Sequence, residues 1–139
     1  MMEYKAYYVE ENDGVFSSSI KELEIPEPCD GELLVSVSFS SLNYKDALCA
    51  KGVKGVAAFY PFVPGIDAVG TVAKSKSDKF KEGDKVICSG YKLGMNVNGG
   101  FGSCICVPTD WVVSLPASMS EFEAMSYGVA GLTSAACIK

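Results

Sequence analysis

The feature of this sequence that most constrains its fold is an alternation of apolar residues and serines that begins at Val35. Val37 and Phe39 continue the apolar positions, and serines occupy positions 36, 38 and 40. Successive side chains of a β-strand point to opposite faces, so this period of two places the apolar residues on one face and the serines on the other. Residues 32–41 therefore predict a half-buried antiparallel strand.

Short extended stretches on both sides of this strand predict its partners. Turns rich in proline, glycine or charged residues separate them, as at residues 26–31 and 80–85. Six or seven short strands with turn signals between them are typical of a small barrel or sandwich. The other predicted strands are residues 2–9, 17–25, 68–73, 86–89, 103–107 and 111–115.

Three segments carry helical patterns instead. Residues 44–51 predict a short helix that stops at Gly52, a residue type favoured just beyond helix ends. Ser120 followed by Glu123 fits a capping box that opens a second helix. Residues 129–139 predict a further helix, which has neither a cap nor an exit loop.

Charge and composition exclude several classes of partner. The 139-residue chain carries a net charge of −5, and its 12 basic residues are all lysines. Contacts of basic side chains to phosphates dominate nucleic-acid affinity, so we expect no nucleic-acid partner. No stretch approaches the roughly 20 apolar residues that span a bilayer, and no signal peptide precedes the 6 cysteines. We therefore expect a cytoplasmic protein without a membrane partner, whose cysteines are buried reduced thiols.

Four short motifs occur in an order and spacing that resemble one known family. They are Ser41-Leu-Asn-Tyr-Lys-Asp46, Pro64-Gly-Ile-Asp-Ala-Val-Gly-Thr-Val72, Gly83-Asp-Lys-Val86 and Gly128-Val-Ala-Gly-Leu-Thr133. Together they resemble the medium-chain dehydrogenase/reductase superfamily. The first motif, continued by alanine, resembles the branch of quinone oxidoreductases that includes acrylyl-CoA reductases. The resemblance covers essentially the whole chain.

The resemblance implies a mainly β fold with short helices, of the α+β class, in the form of a GroES-like, partly open β-barrel. Residues 1–119 would form the GroES-like catalytic domain, and residues 120–139 would form linker helices towards a Rossmann domain. A Rossmann unit needs a Gly-x-Gly-x-x-Gly turn between a strand and a helix, and the sequence contains none. We therefore expect an N-terminal fragment, inactive alone, of a longer enzyme whose Rossmann domain is missing here.

The resemblance further implies an oxidoreductase that uses NADPH, in preference to NADH, to reduce an activated double bond. The substrate would be an enoyl thioester such as acryloyl-CoA, or a quinone. The expected partners are this small molecule and the chain's own missing Rossmann domain, and the complete enzyme is expected to be a homodimer. Because the nicotinamide supplies the hydride, the protein's part is orientation and stabilisation of the developing enolate oxygen.

The resemblance also implies a site without zinc. In zinc-dependent relatives a cysteine stands where Asn43 is, and a histidine followed by an acid stands where Ile66 and Asp67 are. Catalytic zinc needs three nitrogen, sulfur or oxygen ligands, and this sequence contains no histidine. Cys104 and Cys106 point to one face of a predicted strand, but no further ligand joins them.

By the same resemblance, the catalytic residues are Asn43, Tyr44 and Asp67, and the cofactor contacts are Asn43, Tyr44 and Thr133. The Asn43 amide can donate and accept hydrogen bonds, and the Tyr44 hydroxyl can donate a hydrogen bond or a proton. The structural alternatives are a turn asparagine and a partly buried tyrosine. Asp67 is either a site acid or a buried support, and Thr133 either contacts the cofactor or bonds back to a helix carbonyl.

Other residues and functions stay open at this stage. Asp46 either braces the site or complements the dipole of the short helix. Tyr91 and the stretch Asn98-Gly-Gly100 either line the cleft or serve turns. The alternative to an enzyme is a non-catalytic β-barrel module that binds a small molecule or a protein partner, which the uncapped apolar helix argues against. A thiol-based redox protein is disfavoured, because the sequence has no Cys-x-x-Cys pair and no histidine.

Overall fold

The computed structural model describes residues 2–138. β1 (Glu3–Asn12) and β2 (Val15–Glu24) form an antiparallel hairpin. A curled five-stranded antiparallel sheet, shaped as half of a barrel, consists of β3 (Glu32–Phe39), β4 (Asp67–Ser75), β5 (Lys85–Ser89), β6 (Cys104–Pro108) and β7 (Val112–Ser114). The order of these strands in the sheet is β6-β3-β4-β5-β7. The predicted mainly β fold and the predicted strands are confirmed, with ends that differ by a few residues.

The strand with the serine alternation, β3, lies inside the sheet between β4 and β6. Leu33 and Val35 face the main core, whereas Leu34 faces a second apolar cluster that packs the hairpin against the sheet. The first half of β3 is therefore buried on both faces, which the alternation does not predict. At its other end Phe39 is 43% exposed and packs edge-on against Phe122, so the predicted burial of Phe39 is wrong.

The first helix, α1 (Tyr44–Ala50), follows β3 after a short irregular segment. It ends as predicted: Lys51 is the C-cap, and Gly52 has a φ of 69°, in the left-handed region that favours glycine. A Cβ at Gly52 would also lie 2.2 Å from the Phe16 ring, so the turn has no room for a larger residue. Residues 51–66 then run without regular structure to β4.

The second helix, α2 (Glu121–Cys137), begins with the predicted capping box. The Ser120 hydroxyl accepts from the Glu123 N–H, and the Glu123 carboxylate accepts from the Ser120 N–H. Gly128 interrupts α2 with φ 52° and ψ −160°, so the helix consists of two halves that meet at a kink. The second half begins at the predicted position, and its last predicted residue, Lys139, lies outside the described residues.

The cysteines only partly follow the prediction of buried thiols. Cys49, Cys88 and Cys104 are buried, but Cys29 and Cys137 are exposed, so the prediction is wrong for these two. Cys104 and Cys106 contribute to the same apolar cluster, as their spacing predicts. Within residues 2–138, no helix is long and apolar enough to cross a membrane.

Candidate functional site

The candidate site forms where the end of β3, the start of α1 and the start of β4 meet. Asp67 is the first residue of β4 and is fully buried. Two serines that follow β3 hold it: the Ser40 hydroxyl donates to the Asp67 carbonyl oxygen at 2.6 Å, and the Ser41 hydroxyl donates to Asp67 Oδ2. The polar end of the serine alternation therefore fixes both the backbone and the side chain of Asp67.

The Asp67 carboxylate is held through a single oxygen. Besides the Ser41 hydroxyl, Oδ2 accepts from Asn43 Nδ2 and from the Val129 N–H, each at 3.0 Å. Burying a carboxylate is costly unless donors compensate, and these three donors provide the compensation. The other oxygen, Oδ1, is buried and accepts no hydrogen bond from any residue in 2–138. Two chain segments distant in sequence, residues 41–43 and Val129, thus converge on Oδ2.

Asn43 donates from its side-chain amide inside this network. Its nitrogen, Nδ2, donates to Ser41 Oγ at 3.1 Å and to Asp67 Oδ2 at 3.0 Å. Ser41 Oγ is itself hydrogen-bonded to Asp67 Oδ2, so the two acceptors lie side by side and share one N–H of the amide. The amide has a second N–H, which leaves Asn43 able to donate to a ligand as predicted.

Asp46 joins the beginning of α1 to the segment before β4. Its side chain is 1% exposed; Oδ2 accepts from the Asn43 N–H at 2.8 Å, and Oδ1 accepts from the Ile66 N–H at 3.1 Å. Burial raises the pKa of Asp46, while the N–H groups of Asn43, Ile66 and Gly65 oppose the rise. One carboxylate therefore fixes the spacing between Asn43 and the residue next to Asp67, which agrees with the predicted bracing role.

Tyr44 lies at the first position of α1 and points away from this network. It is 80% exposed, so the alternative of a partly buried tyrosine is wrong. Its hydroxyl makes no hydrogen bond with the rest of the described chain, which leaves it able to donate to a ligand. Among Asn43, Tyr44 and Asp67, the structure therefore brings only the first and third into contact.

Thr133 is connected to the network through Val129. Its hydroxyl donates to the Val129 carbonyl oxygen at 2.9 Å, which is the back-bond to a helix carbonyl considered above. The side chain is exposed on the second half of α2. Because Val129 also donates its N–H to Asp67, one residue links Thr133 to the carboxylate.

Ser41 and Gly128 occur in the sequence motifs, but no role was predicted for either residue. A Cβ at Gly128 would lie 2.8 Å from both Asp67 Oδ2 and Ser41 Oγ. The close approach therefore requires glycine, in addition to the positive φ. A glycine inside a helical pattern was the available signal, since such a residue often has a packing reason.

Tyr91 and the stretch Asn98-Gly-Gly100 were predicted either to line the cleft or to serve turns, and the structure gives them different roles. Asn98 Oδ1 accepts from the Val63 N–H at 3.0 Å, and a Cβ at Gly100 would lie 2.2 Å from the Asp67 carbonyl oxygen. These two residues therefore support the backbone around the site. Tyr91 instead stacks on Trp111 and lines a cavity of about 510 Å³ between the sheet and α2.

This cavity is lined mainly by apolar side chains and reaches the kink of α2. Its wall includes Ile87, Tyr127, Gly128 and Leu132 besides the stacked pair. Small-molecule sites commonly have this size and an apolar lining with few polar groups. Within residues 2–138, no cluster of three or more histidine, cysteine or acidic side chains could hold a metal ion.

Comparisons with known proteins agree on one family. The profile of the alcohol dehydrogenase GroES-like domain matches residues 29–117. The Bacillus subtilis protein YhfP, named as a quinone oxidoreductase, is 41% identical over 133 residues, which are 95% of this chain and 40% of YhfP. Acrylyl-CoA reductase AcuI of Ruegeria pomeroyi is 39% identical over 124 residues, which are 89% of this chain and 38% of AcuI.

Solved structures show the same relationship. YhfP with NAD bound superimposes with a TM-score of 0.93 at 38% identity, over 99% of this chain and 42% of that chain. The yhdH oxidoreductase from Salmonella enterica in complex with NADP superimposes with a TM-score of 0.90 at 39% identity, over 96% of this chain and 41% of that chain. The chain thus spans about 40% of the length of the relatives it matches.

Proposed function

The chain belongs to the alcohol dehydrogenase GroES-like domain family, and on that basis we propose that it forms the catalytic domain of an NADPH-dependent, zinc-free oxidoreductase. The substrate is an activated double bond, as in an enoyl thioester such as acryloyl-CoA, or a quinone. The observation that carries the proposal is the similarity to YhfP and AcuI over nearly the whole chain. Residues 1–119 are the catalytic domain, and residues 120–139 are the linker to the nucleotide-binding part.

The residues present can hold only one end of the cofactor. The Gly-x-Gly-x-x-Gly turn that binds a pyrophosphate does not occur in the sequence, so the phosphate part needs another domain. The exposed Tyr44 and Thr133 hydroxyls and the apolar cavity suit a nicotinamide ring and a small substrate. NADP and NAD in the two similar structures support either nicotinamide cofactor, and NADPH is our preference.

The reaction needs a hydrogen-bond donor where negative charge develops on the substrate oxygen. When bound, the nicotinamide supplies the hydride. Tyr44 is our candidate for the donor, because its hydroxyl is exposed and uncommitted. Asn43 keeps its predicted place beside the cofactor, where one N–H of its amide is shared between Ser41 and Asp67. Its second N–H is a further candidate donor to the cofactor or the substrate.

The donor set supports chemistry without zinc. Two positions that hold zinc ligands in zinc-dependent relatives are Asn43 and Ile66 here, and the sequence contains no histidine. An aliphatic side chain and an amide whose nitrogen serves a carboxylate do not fit the nitrogen, sulfur and oxygen set of catalytic zinc. Asp67 Oδ2 accepts three hydrogen bonds from within the chain, whereas Oδ1 accepts none from residues 2–138.

A chimaera tests the proposal. This chain replaces the matched part of YhfP, and NADPH oxidation with acryloyl-CoA or a quinone is followed by absorbance, beside the 139-residue chain alone. We expect turnover by the chimaera and none by the chain alone. Tyr44→Phe should lower kcat by about 10²-fold, as expected for loss of one donor to a developing oxyanion. Tyr7→Phe is the matched control, since that hydroxyl bonds only Ser18 on the hairpin.

The outcomes separate the enzyme from a binding module. A folded chimaera that binds NADPH but reduces neither substrate contradicts the proposed substrate class. The cavity of about 510 Å³ would equally suit the alternative, a non-catalytic module that binds a small molecule. Ligand binding by the 139-residue chain, without turnover by the chimaera, would support that alternative. A homodimeric, cytoplasmic complete enzyme is part of the proposal, and the mass of the chimaera in solution tests the homodimer.

A further inference from the structure

The second half of α2 starts in an unusual way, at Val129. Val129 is the first helical residue after Gly128, and the N–H of a first helical residue has no acceptor within its own helix. The acceptor is instead Asp67 Oδ2, at 3.0 Å, from the beginning of β4. An aspartate normally caps a helix from the position just before it. Here the capping carboxylate comes from β4, a strand that lies far from α2 in the sequence.

Gly128 makes this contact possible. Its φ of 52° and ψ of −160° turn the chain away from the first half of α2. A Cβ would lie 2.8 Å from the capping oxygen and from Ser41 Oγ. The backbone conformation and the available space therefore both depend on glycine at this position.

The orientation of Asp67 is itself fixed by the residues around it. Ser41 and Asn43 donate to the same Oδ2 that accepts from Val129. The carboxylate is fully buried, so water does not compete for these donors. The direction of the second half of α2 is therefore set by the side chains at the junction of β3 and α1.

Thr133 depends on the same contact. Its hydroxyl donates to the carbonyl oxygen of Val129, the residue whose N–H Asp67 accepts. We propose that Asp67 is a positioning residue. It caps the second half of α2 and thereby fixes the position of Thr133 relative to Asn43 and Tyr44. The inference rests on the proposed function for the role of Thr133 at the cofactor. The capping itself does not depend on that role.

The contact can be detected directly in the 139-residue chain by NMR. We expect a scalar coupling across the hydrogen bond between the Val129 nitrogen and the Asp67 carboxyl carbon. Its absence in spectra that resolve couplings across the β4–β5 ladder would overturn the proposal, without any variant. No cofactor is added, so a failure of the proposed function does not affect this result.

The consequence is tested with Asp67→Ala and Asp67→Asn. We expect Asp67→Ala to speed amide hydrogen exchange at Val129 by about tenfold or more, because a hydrogen bond to a charged group is lost. Residual dipolar couplings of residues 130–137 should also no longer fit the alignment tensor that describes β4, because the second half of α2 changes its orientation. Asp67→Asn keeps an acceptor oxygen, and we expect it to retain most of the protection. Asp78→Ala, at an exposed aspartate, is the control.

A uniform loss of stability would not produce this pattern. If exchange in Asp67→Ala rises equally at Val129 and along β4, or the couplings of residues 130–137 keep their alignment, Asp67 is not a positioning residue. If Asp67→Ala does not fold, the Asp67→Asn variant and the scalar coupling across the hydrogen bond still test whether Asp67 caps the second half of α2. Protection at Val129 in Asp67→Asn supports the proposal, and its loss with β4 unchanged contradicts it.

Discussion

The rings of Tyr91 and Trp111 lie parallel, 3° apart in orientation and with centroids 5.5 Å apart, at the mouth of the cavity between the sheet and α2. Tyr91 has a φ of 52°, which non-glycine residues rarely adopt, and its side chain remains largely exposed. The strained backbone thus carries the ring that covers one face of the chain's single tryptophan.

This stacked pair gives a fluorescence prediction. Removal of the ring in Tyr91→Ala should shift Trp111 emission to the red, because water gains access to the indole, and should cost about 0.5–1.5 kcal/mol of stacking. Tyr91→Gly loses the same ring but relieves the backbone strain, so it should be the more stable of the two. Emission spectra and urea unfolding measure both effects. An unchanged spectrum would mean that the two rings do not stack in solution.

Gly128→Ala should destabilise the chain by more than backbone strain alone explains. With φ 52° and ψ −160°, Gly128 lies in a backbone region that is almost restricted to glycine and costs an L-residue about 1–3 kcal/mol, and the added Cβ would also meet Asp67 and Ser41. Gly55→Ala is the control for a positive φ in open space, since Gly55 has a φ of 84° and nothing within 4 Å of an added Cβ. Urea unfolding compares the two variants. Equal losses would show that the contact with Asp67 adapts without cost.

Asp46 gives a prediction about pH. Its raised pKa means that the folded chain keeps this proton to a higher pH than the unfolded chain. The folded state then binds more protons between the two pKa values, so the contribution of Asp46 to stability falls as pH rises through the folded value. Asp46→Asn cannot titrate and leaves one N–H, of Asn43 or Ile66, facing an NH₂ group.

At acid pH we therefore expect Asp46→Asn to be less stable than the native chain by about 1–3 kcal/mol, the cost of an unsatisfied buried donor. The difference should shrink as pH rises through the raised pKa of Asp46. Free energies of unfolding in urea at several pH values, taken as the difference between the two proteins, isolate this group. A difference that grows with pH would contradict the direction of the shift.

The thiols should react in an order set by burial. Burial raises the pKa of Cys88 to about 12, to which the charge of Asp67 adds, and raises the pKa of Cys104 to about 11. The thiolate is the reactive form, so at mildly alkaline pH both should be alkylated more than about a hundredfold more slowly than the exposed Cys29 and Cys137. Mass spectrometry of peptides after timed alkylation gives the order. Early modification of Cys88 would reveal local opening of β5.

The sequence predicts strands and caps well because these signals are local. Alternation identifies β3, and the pattern of Ser120 and Glu123 identifies the start of α2, since both depend on residues within a few positions. The exposure of Phe39 could not be predicted from neighbouring residues. It depends on the first turn of α2, where Phe122 supplies the only aromatic partner described for that ring.

The candidate site is harder to predict, because its contacts join distant segments. The motifs bring Asn43 and Asp67 to attention, but not the contact between Asp67 and Val129, which are separated by 62 positions. Gly128 lies just before the predicted start of the last helix, but its positive φ and its approach to Asp67 are not evident from the sequence. The direction of the Asn43 amide, which decides whether it can serve a ligand, likewise depends on two acceptors that only the fold brings close.

The two contacts of Asp46 also affect how this region tolerates change. The contact with the Ile66 N–H ties the far end of the irregular segment 51–66 back to α1, the helix from which the segment starts, so the distance between its ends is not set by the path between them alone. The contact with the Asn43 N–H ties the same carboxylate to the residue that precedes α1. Lengthening a loop whose ends are already fixed adds little entropic cost, since that cost grows only with the logarithm of its length. Insertions between residues 53 and 59 should therefore alter the rim of the protein while leaving Asn43 and Asp67 in place, which would let related proteins diversify there.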